Sequence, residues 1–382
     1  MFALEKTVYK LENITINYDK KRKPLSAQQR AGMKGNFRYF GAQSVIDYVN
    51  DYLFDGEYLL IAEDGENLKS NKQKIAQIVT GQFWLNNHAH IVQTNELCNI
   101  RYLGYWLNAA DISGYITGSA QPKLSQANLN AIEIELPDRS VQDRIVSILA
   151  TLDEKIEINN QINRNLFDQA MAIFEQEYLA YSKVKLGETN VFVTDYVANG
   201  SFKSLKDNVT ILEEKDYAYF IRNVDLKAKT FPRFVSQHSY EFLSKSKLVG
   251  GEVIISNVGD VGSVFLCPKL DGPMTLGNNM IMLNSTNHNY YLYLYFISYI
   301  GQGMISGITG GSAQPKFNKT DFKSLEINFP NDVEVEEFNS KVVPLLEYMA
   351  NIDRENQKLQ ATRDTLLPRL MSGELDVSDL DI

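Results

Sequence analysis

Mostly apolar residues recur at alternating steps of four and three along two stretches of the chain. In the first stretch these positions are Ile145, Leu149, Leu152, Ile156, Asn159, Asn163, Leu166, Ala170 and Ile173. In the second stretch they are Phe338, Val342, Leu345, Met349, Ile352, Asn356, Leu359, Arg363 and Leu366. This spacing is the heptad signature of a coiled-coil seam. It predicts two long helices, one within residues 138–180 and one within residues 331–382.

Two asparagines interrupt this seam at equivalent positions. Asn163 and Asn356 are 193 residues apart, as are the other matching positions of the two ladders. A polar residue at a core position of a coiled coil lowers stability but specifies the register and the partner helix. We therefore predict that Asn163 and Asn356 set the helix register. The two helices are expected to pack antiparallel, because each returns the chain towards the far end of the next domain.

The rest of the chain predicts strands and short helices. Short apolar runs such as 58–61 and 253–255 are bounded by Gly, Asn and Asp, as is typical of strands. The predicted fold class is α+β, with two repeated mixed α/β domains at 1–137 and 181–330. Two long antiparallel helices, at 138–180 and in the C-terminal segment 331–382, separate the domains and form a pseudo-two-fold coiled coil.

An internal repeat supports two copies of one unit. Residues 118–137 (GSAQPKLSQANLNAIEIELP) align without gaps to residues 311–330 (GSAQPKFNKTDFKSLEINFP), with nine of 20 positions identical. Repeats at one offset indicate duplicated structural units. We expect the shared residues to form a turn or to bind a partner subunit, because Gly and Pro present no base-reading side chain. These framework residues are Gly118, Gln121, Pro122, Gly311, Gln314 and Pro315.

Charge is distributed unevenly along the chain. The formal net charge is −9, but residues 138–180 carry −4 and residues 331–382 carry −7, so the rest is neutral to slightly basic. Residues 1–38 hold nine basic and three acidic side chains, including the run 20–23. Because the local field matters more than the total charge, this distribution permits a phosphate-facing surface on the domains.

Composition predicts a cytoplasmic protein. The 44% hydrophobic and 22% charged residues are typical of globular domains, and no run of about 18 apolar residues indicates a membrane span. The chain has two cysteines, Cys98 and Cys267, and they support neither a disulfide framework nor a four-ligand zinc site.

Two patterns raise catalytic or metal-binding alternatives. Asp138, Asp153 and Lys155 match a loose signature of magnesium-dependent nucleases, but Asp153 and Lys155 fall in a heptad helix two positions apart. A solvated helix face is the favoured interpretation. His88 and His90 are the only close histidine pair and would point the same way on a strand. No further metal ligand accompanies them, which favours hydrogen-bonded histidines over a metal site.

Several segments resemble one known family over nearly the whole chain. Residues 136–166 (LPDRSVQDRIVSILATLDEKIEINNQINRNL) resemble the central conserved region of the DNA-specificity (S) subunit of type I restriction–modification enzymes. The GSAQPKL and GSAQPKF blocks are similar to the segment that ends each target-recognition domain of that family. Residues 366–380 (LLPRLMSGELDVSDL) are similar to its C-terminus, and residues 54–68 with 83–91 resemble one sequence class of its recognition domains.

The resemblance implies a non-catalytic adaptor without a cofactor of its own. Each recognition domain would read one half of an asymmetric, bipartite double-stranded DNA target, and the helices would set the spacer. Two methylase subunits and, through them, restriction/translocase subunits would be the partners. S-adenosylmethionine, ATP and magnesium would belong to these partner subunits. At 1.5 Å per residue an unbroken helix over 140–180 would span about 60 Å, enough to separate two DNA-reading modules.

Basic side chains of the two domains are the candidates for DNA contact, while Asn, Gln, Arg and aromatic residues of 11–50 and 186–249 are expected to read bases. The basic candidates are Lys20, Lys21, Arg22, Lys23, Arg30, Lys34, Arg38, Lys203, Lys206 and Arg222.

Two alternative functions remain. One is a protein-only coiled-coil scaffold, and the other is a single-chain nuclease that uses Asp138, Asp153 and Lys155.

Overall fold

The computed structural model of the chain describes residues 5–42, 44–70, 74–118, 121–311 and 313–377. It divides into two compact units. The first unit comprises residues 1–158 and 355–382, and the second comprises residues 159–354. Both boundaries fall inside long helices, so each unit combines one mixed α/β domain with parts of both helices.

The first unit is built around a six-stranded sheet. Its described strands are β1 (Thr7–Lys10), β2 (Thr15–Asn17), β3 (Lys34–Phe40), β4 (Val45–Val49), β5 (Phe54–Ala62), β6 (Ala76–Leu85), β7 (Ala89–Thr94) and β8 (Glu133–Leu136). The sheet order is β2-β7-β5-β6-β3-β4, and β1 pairs separately with β8. Only the β3–β6 pair among these is parallel.

Short helices cover this sheet. They are α1 (Leu11–Ile14), α2 (Ala27–Gly32), α3 (Asn67–Ser70), α4 (Ile100–Ala109) and α5 (Gln126–Ala131), followed by the long helix α6 (Arg139–Glu177). Single 3-10 turns lie at Asp19–Lys21 and Ser113–Tyr115. The main core of the unit joins buried residues of β5, α4 and the start of α6, such as Leu59, Leu103 and Leu149, to Leu370 near the C-terminus.

The second unit divides its strands between two larger sheets and a two-stranded ladder. Its described strands are β9 (Lys183–Lys185), β10 (Phe192–Asp195), β11 (Ile211–Leu212), β12 (Ala218–Ile221), β13 (Phe234–Val235), β14 (Lys247–Leu248), β15 (Val253–Ser256), β16 (Val264–Leu266), β17 (Met274–Leu276), β18 (Met280–Asn284) and β19 (Glu326–Asn328). The sheet orders are β10-β18-β15-β16 and β11-β13-β12-β17-β14, and β9 pairs with β19.

Six short helices and a second long helix complete the described part of this unit. They are α7 (Phe202–Asn208), α8 (Asn223–Ala228), α9 (Gln237–Phe242), α10 (Asn289–Ile297), α11 (Tyr299–Ile308), α12 (Lys319–Lys323) and α13 (Asp332–Ser372). Further 3-10 turns lie at Tyr178–Ala180, Leu186–Glu188, Tyr196–Asn199 and Ser244–Ser246. A large core of aromatic and aliphatic residues joins α10, α6 and α13, including Tyr291, Phe174 and Phe338.

The heptad positions of both long helices are buried or half-buried, because their apolar side chains face a neighbouring element rather than solvent. The helices run antiparallel within each unit. In the first unit Asp153 and Lys155 of α6 contact Arg363 and Glu355 of α13, respectively. In the second unit Asn163 contacts Asp353, and Glu177, later in α6, contacts Lys341, earlier in α13. The two helices therefore run in opposite directions here as well. The prediction of two long antiparallel helices and two mixed α/β domains is confirmed.

The internal repeat corresponds to repeated structure. Strands β1 and β8 pair antiparallel with Lys10 opposite Glu133, and β9 and β19 pair with Lys185 opposite Glu326. Each of these ladders is followed by a backbone hydrogen bond of 2.9 Å, from Leu11 to Ile132 and from Leu186 to Leu325. The residues shared by the two copies therefore form the same ladder in each unit.

Candidate DNA interface

The basic run of the first unit lies on and beyond a 3-10 turn (Asp19–Lys21) between β2 and α2. Lys20, Lys21 and Lys23 are exposed. The Lys21 ammonium lies 5.0 Å from the centroid of the Tyr18 ring. Lys20 and Lys23 form no ion pair with a residue that the structure describes. Three of the four predicted phosphate-contacting side chains thus reach solvent together.

Arg22, the fourth residue of the run, is turned inward. Its guanidinium donates to Glu63 Oε2 at 2.8 Å and to the Ala89 carbonyl at 2.6 Å, and its side chain is 13% exposed. A second nitrogen lies 3.5 Å from Asp19 Oδ2. Arg22 therefore binds within the domain and holds the basic segment against β7. The prediction that Arg22 contacts phosphate does not fit this geometry, because its guanidinium already has partners inside the domain.

A buried histidine anchors the same segment. His90 is 1% exposed, and its Nδ1 lies 2.6 Å from Asp19 Oδ2 while its Nε2 lies 2.8 Å from the Leu124 carbonyl oxygen. Both ring nitrogens of His90 therefore face acceptor oxygens. The Ile91 amide donates to Asp19 Oδ1 at 2.9 Å. Burial alone would raise the pKa of Asp19, but the hydrogen bonds and charges of His90, Ile91 and Arg22 outweigh burial and lower it.

The two histidines do not share a site. His88 is half exposed and its Nδ1 contacts Asp64 at 2.9 Å, whereas His90 is enclosed with Asp19. Among the residues that the structure describes, no group of three or more histidine, cysteine or acidic side chains could hold a metal ion. Each histidine is thus hydrogen-bonded to its own carboxylate, and the sequence contained no signal for Asp19 as the partner of His90.

The remaining basic candidates of the first unit are Arg30, Lys34 and Arg38, and they differ in exposure and in the partners that they bind within the domain. Arg30 and Lys34 both bind Asp47, at 3.1 and 2.6 Å. The Lys34 hydrogen bond, with those of the Tyr48 amide and Arg30, lowers the pKa of Asp47 to about 2. Lys34 nevertheless is 62% exposed, whereas Arg30 is 20% exposed. Arg38 donates to the Thr80 carbonyl and lies over the Phe40 ring, 5.4 Å from its centroid.

In the second unit, two of the three candidates are free. Lys203 and Lys206 are exposed on α7 and form no ion pair with any residue in the described ranges. Arg222 instead binds Asp225 through two nitrogens, at 2.8 and 2.6 Å, and this pairing raises the pKa of Arg222. Arg222 thus stabilises the start of α8, while Lys203 and Lys206 remain available to an anionic partner.

The framework residues form the same tight turn in each unit. Thr117 and Lys123 exchange two backbone hydrogen bonds of 2.9 and 2.8 Å, and Gly310 and Lys316 exchange two of 2.9 Å. Gly118 has φ +86, and a Cβ there would lie 2.1 Å from the Gln121 carbonyl oxygen. This close approach explains why the turn requires glycine.

The second turn has the same requirement. Gly311 has φ +91, and a Cβ there would lie 2.8 Å from the Gln314 carbonyl oxygen. Gln121 and Gln314 are exposed at the two turns, while Pro122 is buried and Pro315 is exposed. The two turns therefore present the same amide side chain to solvent from the same backbone geometry.

Two of the three residues of the nuclease alternative, Asp153 and Lys155, contact the other long helix, whereas Asp138 is exposed just before α6. Arg363 donates to Asp153 at 2.7 Å, and the Tyr105 hydroxyl donates to the same carboxylate at 2.7 Å. Lys155 lies 3.7 Å from Glu355. The expectation of a solvated face for Asp153 is thus wrong, because its carboxylate, 29% exposed, lies between Arg363 and Tyr105. Neither Asp153 nor Lys155 belongs to a metal-binding cluster within the part of the chain that the structure describes.

Polar seam residues are accommodated differently along the helices. In the second unit the Asn163 amide donates to Asp353 at 3.0 Å, while its side-chain oxygen is buried without a partner among the described residues. In the first unit Asn356 is 6% exposed.

No helix of the described residues is long and apolar enough to cross a membrane.

Comparison with known proteins identifies the class of this chain. The family model described as the type I restriction modification DNA specificity domain matches residues 5–166 and 193–361. The chain belongs to this family and carries two copies of its domain.

Individual relatives agree with this assignment. The MjaIX type I restriction enzyme specificity subunit of Methanocaldococcus jannaschii is 23% identical over 302 residues, covering 73% of this chain and 70% of that protein. A Haemophilus influenzae protein named as a type I restriction enzyme specificity subunit is 37% identical over 142 residues. That match covers 37% of this chain and only 36% of the Haemophilus protein.

A solved structure shares the fold. The S subunit of a type I restriction–modification system from M. genitalium has a TM-score of 0.60 to this chain, over 96% of both chains, at 15% identity. At this identity the likeness concerns the fold alone.

Proposed function

We propose that this chain is the non-catalytic DNA sequence-recognition subunit of a type I restriction–modification system. Residues 1–137 and 181–330 act as two target-recognition domains, and residues 138–180 and 331–382 supply the helices and tail. The family membership carries this proposal. The exposed lysines on each domain support it, because phosphate contacts by Lys and Arg dominate DNA affinity.

The two domains read different halves of an asymmetric DNA target. They share the framework turn but place their free lysines on different elements. Lys20 lies on a 3-10 turn and Lys23 two residues after it, whereas Lys203 and Lys206 lie on α7. Phosphate contacts fix position and base contacts specify sequence. Unlike surfaces on a common framework therefore suit two unlike half-sites.

The shared turns dock two copies of one methylase subunit, and the helices set the spacer between the half-sites. Gln121 and Gln314 are exposed at equivalent positions, although the turn geometry itself constrains only the glycines. An exposed side chain common to both copies suits one surface binding the same partner twice. The acidic helices suit protein contact rather than DNA contact, because DNA repels negative charge. S-adenosylmethionine, ATP and magnesium belong to the methylase and restriction/translocase partners.

A domain exchange tests this division of labour. Residues 181–330 are replaced by the corresponding domain of a relative with a different target, and both helices are kept. Methylome sequencing of the host, with the parent and the methylase gene alone as controls, reads out the recognised sequence. We expect the first half-site and the spacer to be retained and the second half-site to become that of the donor.

Other outcomes would contradict the proposal. If both half-sites changed together, or the spacer changed while the helices were unaltered, recognition is not divided between the domains. A gel shift with mixed duplexes, with and without the methylase subunit, tests the protein-only scaffold, which would bind no DNA in either case. Cleavage of DNA by the purified chain and Mg²⁺ alone would support the nuclease alternative.

A further inference from the structure

Two apolar side chains of the second domain, Phe202 and Val197, are largely exposed to solvent. Phe202, the first residue of α7, is 87% exposed, and Val197 on the preceding 3-10 turn is 65% exposed. Single exposed apolar residues are common on protein surfaces and carry no meaning by themselves. The surroundings of this pair decide what it does.

The elements that present Phe202 are firmly held. The Ser204 amide donates to Ser201 Oγ at 3.2 Å and caps the start of α7. Leu205 of the same helix is 4% exposed in a core with Phe220 and Leu243. A rigid base lowers the conformational entropy cost when an exposed aromatic side chain binds a partner.

The preceding turn is tied to a second basic segment. The Asn199 side-chain amide donates to Ser246 Oγ at 2.8 Å, and its carbonyl oxygen accepts from the Lys245 amide at 2.8 Å. These bonds place residues 244–246 directly beside the 3-10 turn that carries Val197.

Lysines lie on the helix of Phe202 and on the segment that is hydrogen-bonded to the turn of Val197. Lys203, Lys206 and Lys245 are exposed and form no ion pair within the described part of the chain. Residues 196–208 and 244–248 together hold four lysines and one acidic residue, Asp207, although the whole chain carries a net charge of −9. Positive charge of this density matches a nucleic-acid backbone, whereas a protein partner would have to desolvate unpaired ammonium groups.

We infer that Phe202, with Val197 on the adjoining 3-10 turn, is an apolar wedge that enters between base steps of the second half-site. The inference rests on the proposed function and names a specificity-determining residue for it. Lys203, Lys206 and Lys245 hold the flanking phosphates. Proteins that insert Phe or other apolar side chains between base steps unstack them and kink the duplex, which makes recognition depend on how easily that step deforms.

The test uses the complete complex with the methylase subunit and a duplex carrying the target found by methylome sequencing. 2-Aminopurine is placed either in the second or in the first half-site, and its fluorescence reports unstacking. The variants are Phe202→Ala, Phe202→Leu and Tyr299→Ala. Tyr299 is the matched control, because it is also the first residue after a serine cap, at the start of α11, and is 91% exposed without neighbouring lysines in sequence.

We expect the wild-type complex to raise the fluorescence of 2-aminopurine in the second half-site. Phe202→Ala should abolish this rise and weaken binding about 10-fold, within the range found when one base–aromatic stacking interaction is removed. Phe202→Leu should retain part of both effects, and Tyr299→Ala should behave as wild type.

Failure of the wedge and failure of the proposed function are distinguishable. Specific binding by the wild type, with affinity and fluorescence unchanged in Phe202→Ala, overturns the wedge alone. An equal loss of affinity in Tyr299→Ala also overturns it, since the effect would not depend on this basic surface. If the wild-type complex has no sequence preference on any duplex, the proposed function itself is wrong.

Discussion

The buried Asp19–His90 pair is predicted to hold the first domain and its basic segment together. Removing the Asp19 carboxylate takes away the acceptor of His90 Nδ1 at 2.6 Å and of the Ile91 amide at 2.9 Å. Leaving a buried hydrogen-bonding group unsatisfied costs about 1–3 kcal/mol, so the loss of both contacts costs about 2–6 kcal/mol. We therefore expect Asp19→Ala to lower the free energy of unfolding of the first unit by about that amount.

Asp19→Asn should be milder. The Asn oxygen can still accept from the Ile91 amide, and the Asn amide nitrogen takes the place of the carboxylate oxygen beside His90 Nδ1. Hydrogen bonds to charged groups contribute about 1.5–3 kcal/mol and neutral ones about 0.5–1.5 kcal/mol. The difference predicts a destabilisation of about 1–2 kcal/mol for this variant.

Urea unfolding followed by tryptophan fluorescence measures the stability of the first unit separately from that of the second. Trp84 and Trp106 are the only two tryptophans, and both lie in the first unit. Trp84 Nε1 also donates to the Lys23 carbonyl at 2.6 Å, so it reports the basic segment directly. The matched control is Asp64→Ala, which removes the partner of the half-exposed His88 and should cost at most about 1 kcal/mol.

The pH dependence gives a second readout. The pKa of Asp19 is lower in the folded chain than its ordinary value of 3.8. Its contribution is therefore fully present above pH 3.8 and is lost as the pH falls through the folded pKa. The stability difference between wild type and Asp19→Asn should shrink in that acid range. Equal destabilisation by Asp19→Ala and Asp64→Ala, or a difference independent of acid pH, would refute the reasoning.

Three further predictions concern DNA binding, the helix seam and the framework turn. Replacing Lys20, Lys21 and Lys23 with Gln should weaken binding of the methylase complex to all duplexes alike, and should flatten the salt dependence by about 0.9 log unit for each phosphate that a lysine no longer neutralises. A gel shift at several salt concentrations measures this, and an unchanged salt slope would contradict it. Asn163→Leu should raise the free energy of unfolding by about 1 kcal/mol, because it removes a buried acceptor without a described partner, yet permit wrong registers or oligomers. Circular dichroism and light scattering measure the two effects, and a less stable, uniform monomer would disprove the role of Asn163. Gly118→Ala should destabilise the first unit more than Gly81→Ala, since both glycines have positive φ but only at Gly118 does a Cβ meet backbone within 4 Å. Equal urea midpoints for these two variants would show that the close approach is unimportant.

The long helices and the repeat could be predicted from the sequence because their determinants are local or periodic. A seam position such as Leu149 or Val342 is recognised by its spacing to the next apolar residue, and both side chains are fully buried in the structure. The turns at Gly118 and Gly311 were found because the same residues recur, and a glycine requirement follows from backbone geometry within five residues.

The candidate interface was only partly predictable. The four basic residues at 20–23 are equivalent in the sequence, and nothing local separates Arg22 from its neighbours. The fold separates them, because it brings Glu63, 41 residues away, within 2.8 Å of the Arg22 guanidinium. Phe202 was likewise one aromatic residue among many until its exposure and the position of Lys245 were known.

The sequence by itself determined the two-fold duplication, the helical seam and the charge of each segment, since these depend on periodicity, identity and composition. Only the tertiary structure decided that His90 pairs with Asp19, 71 residues apart, and that Asp153 lies beside Arg363, 210 residues apart. Such partners are selected by which strands and helices pack together. A polar side chain in sequence has no preferred partner until burial removes water as the alternative.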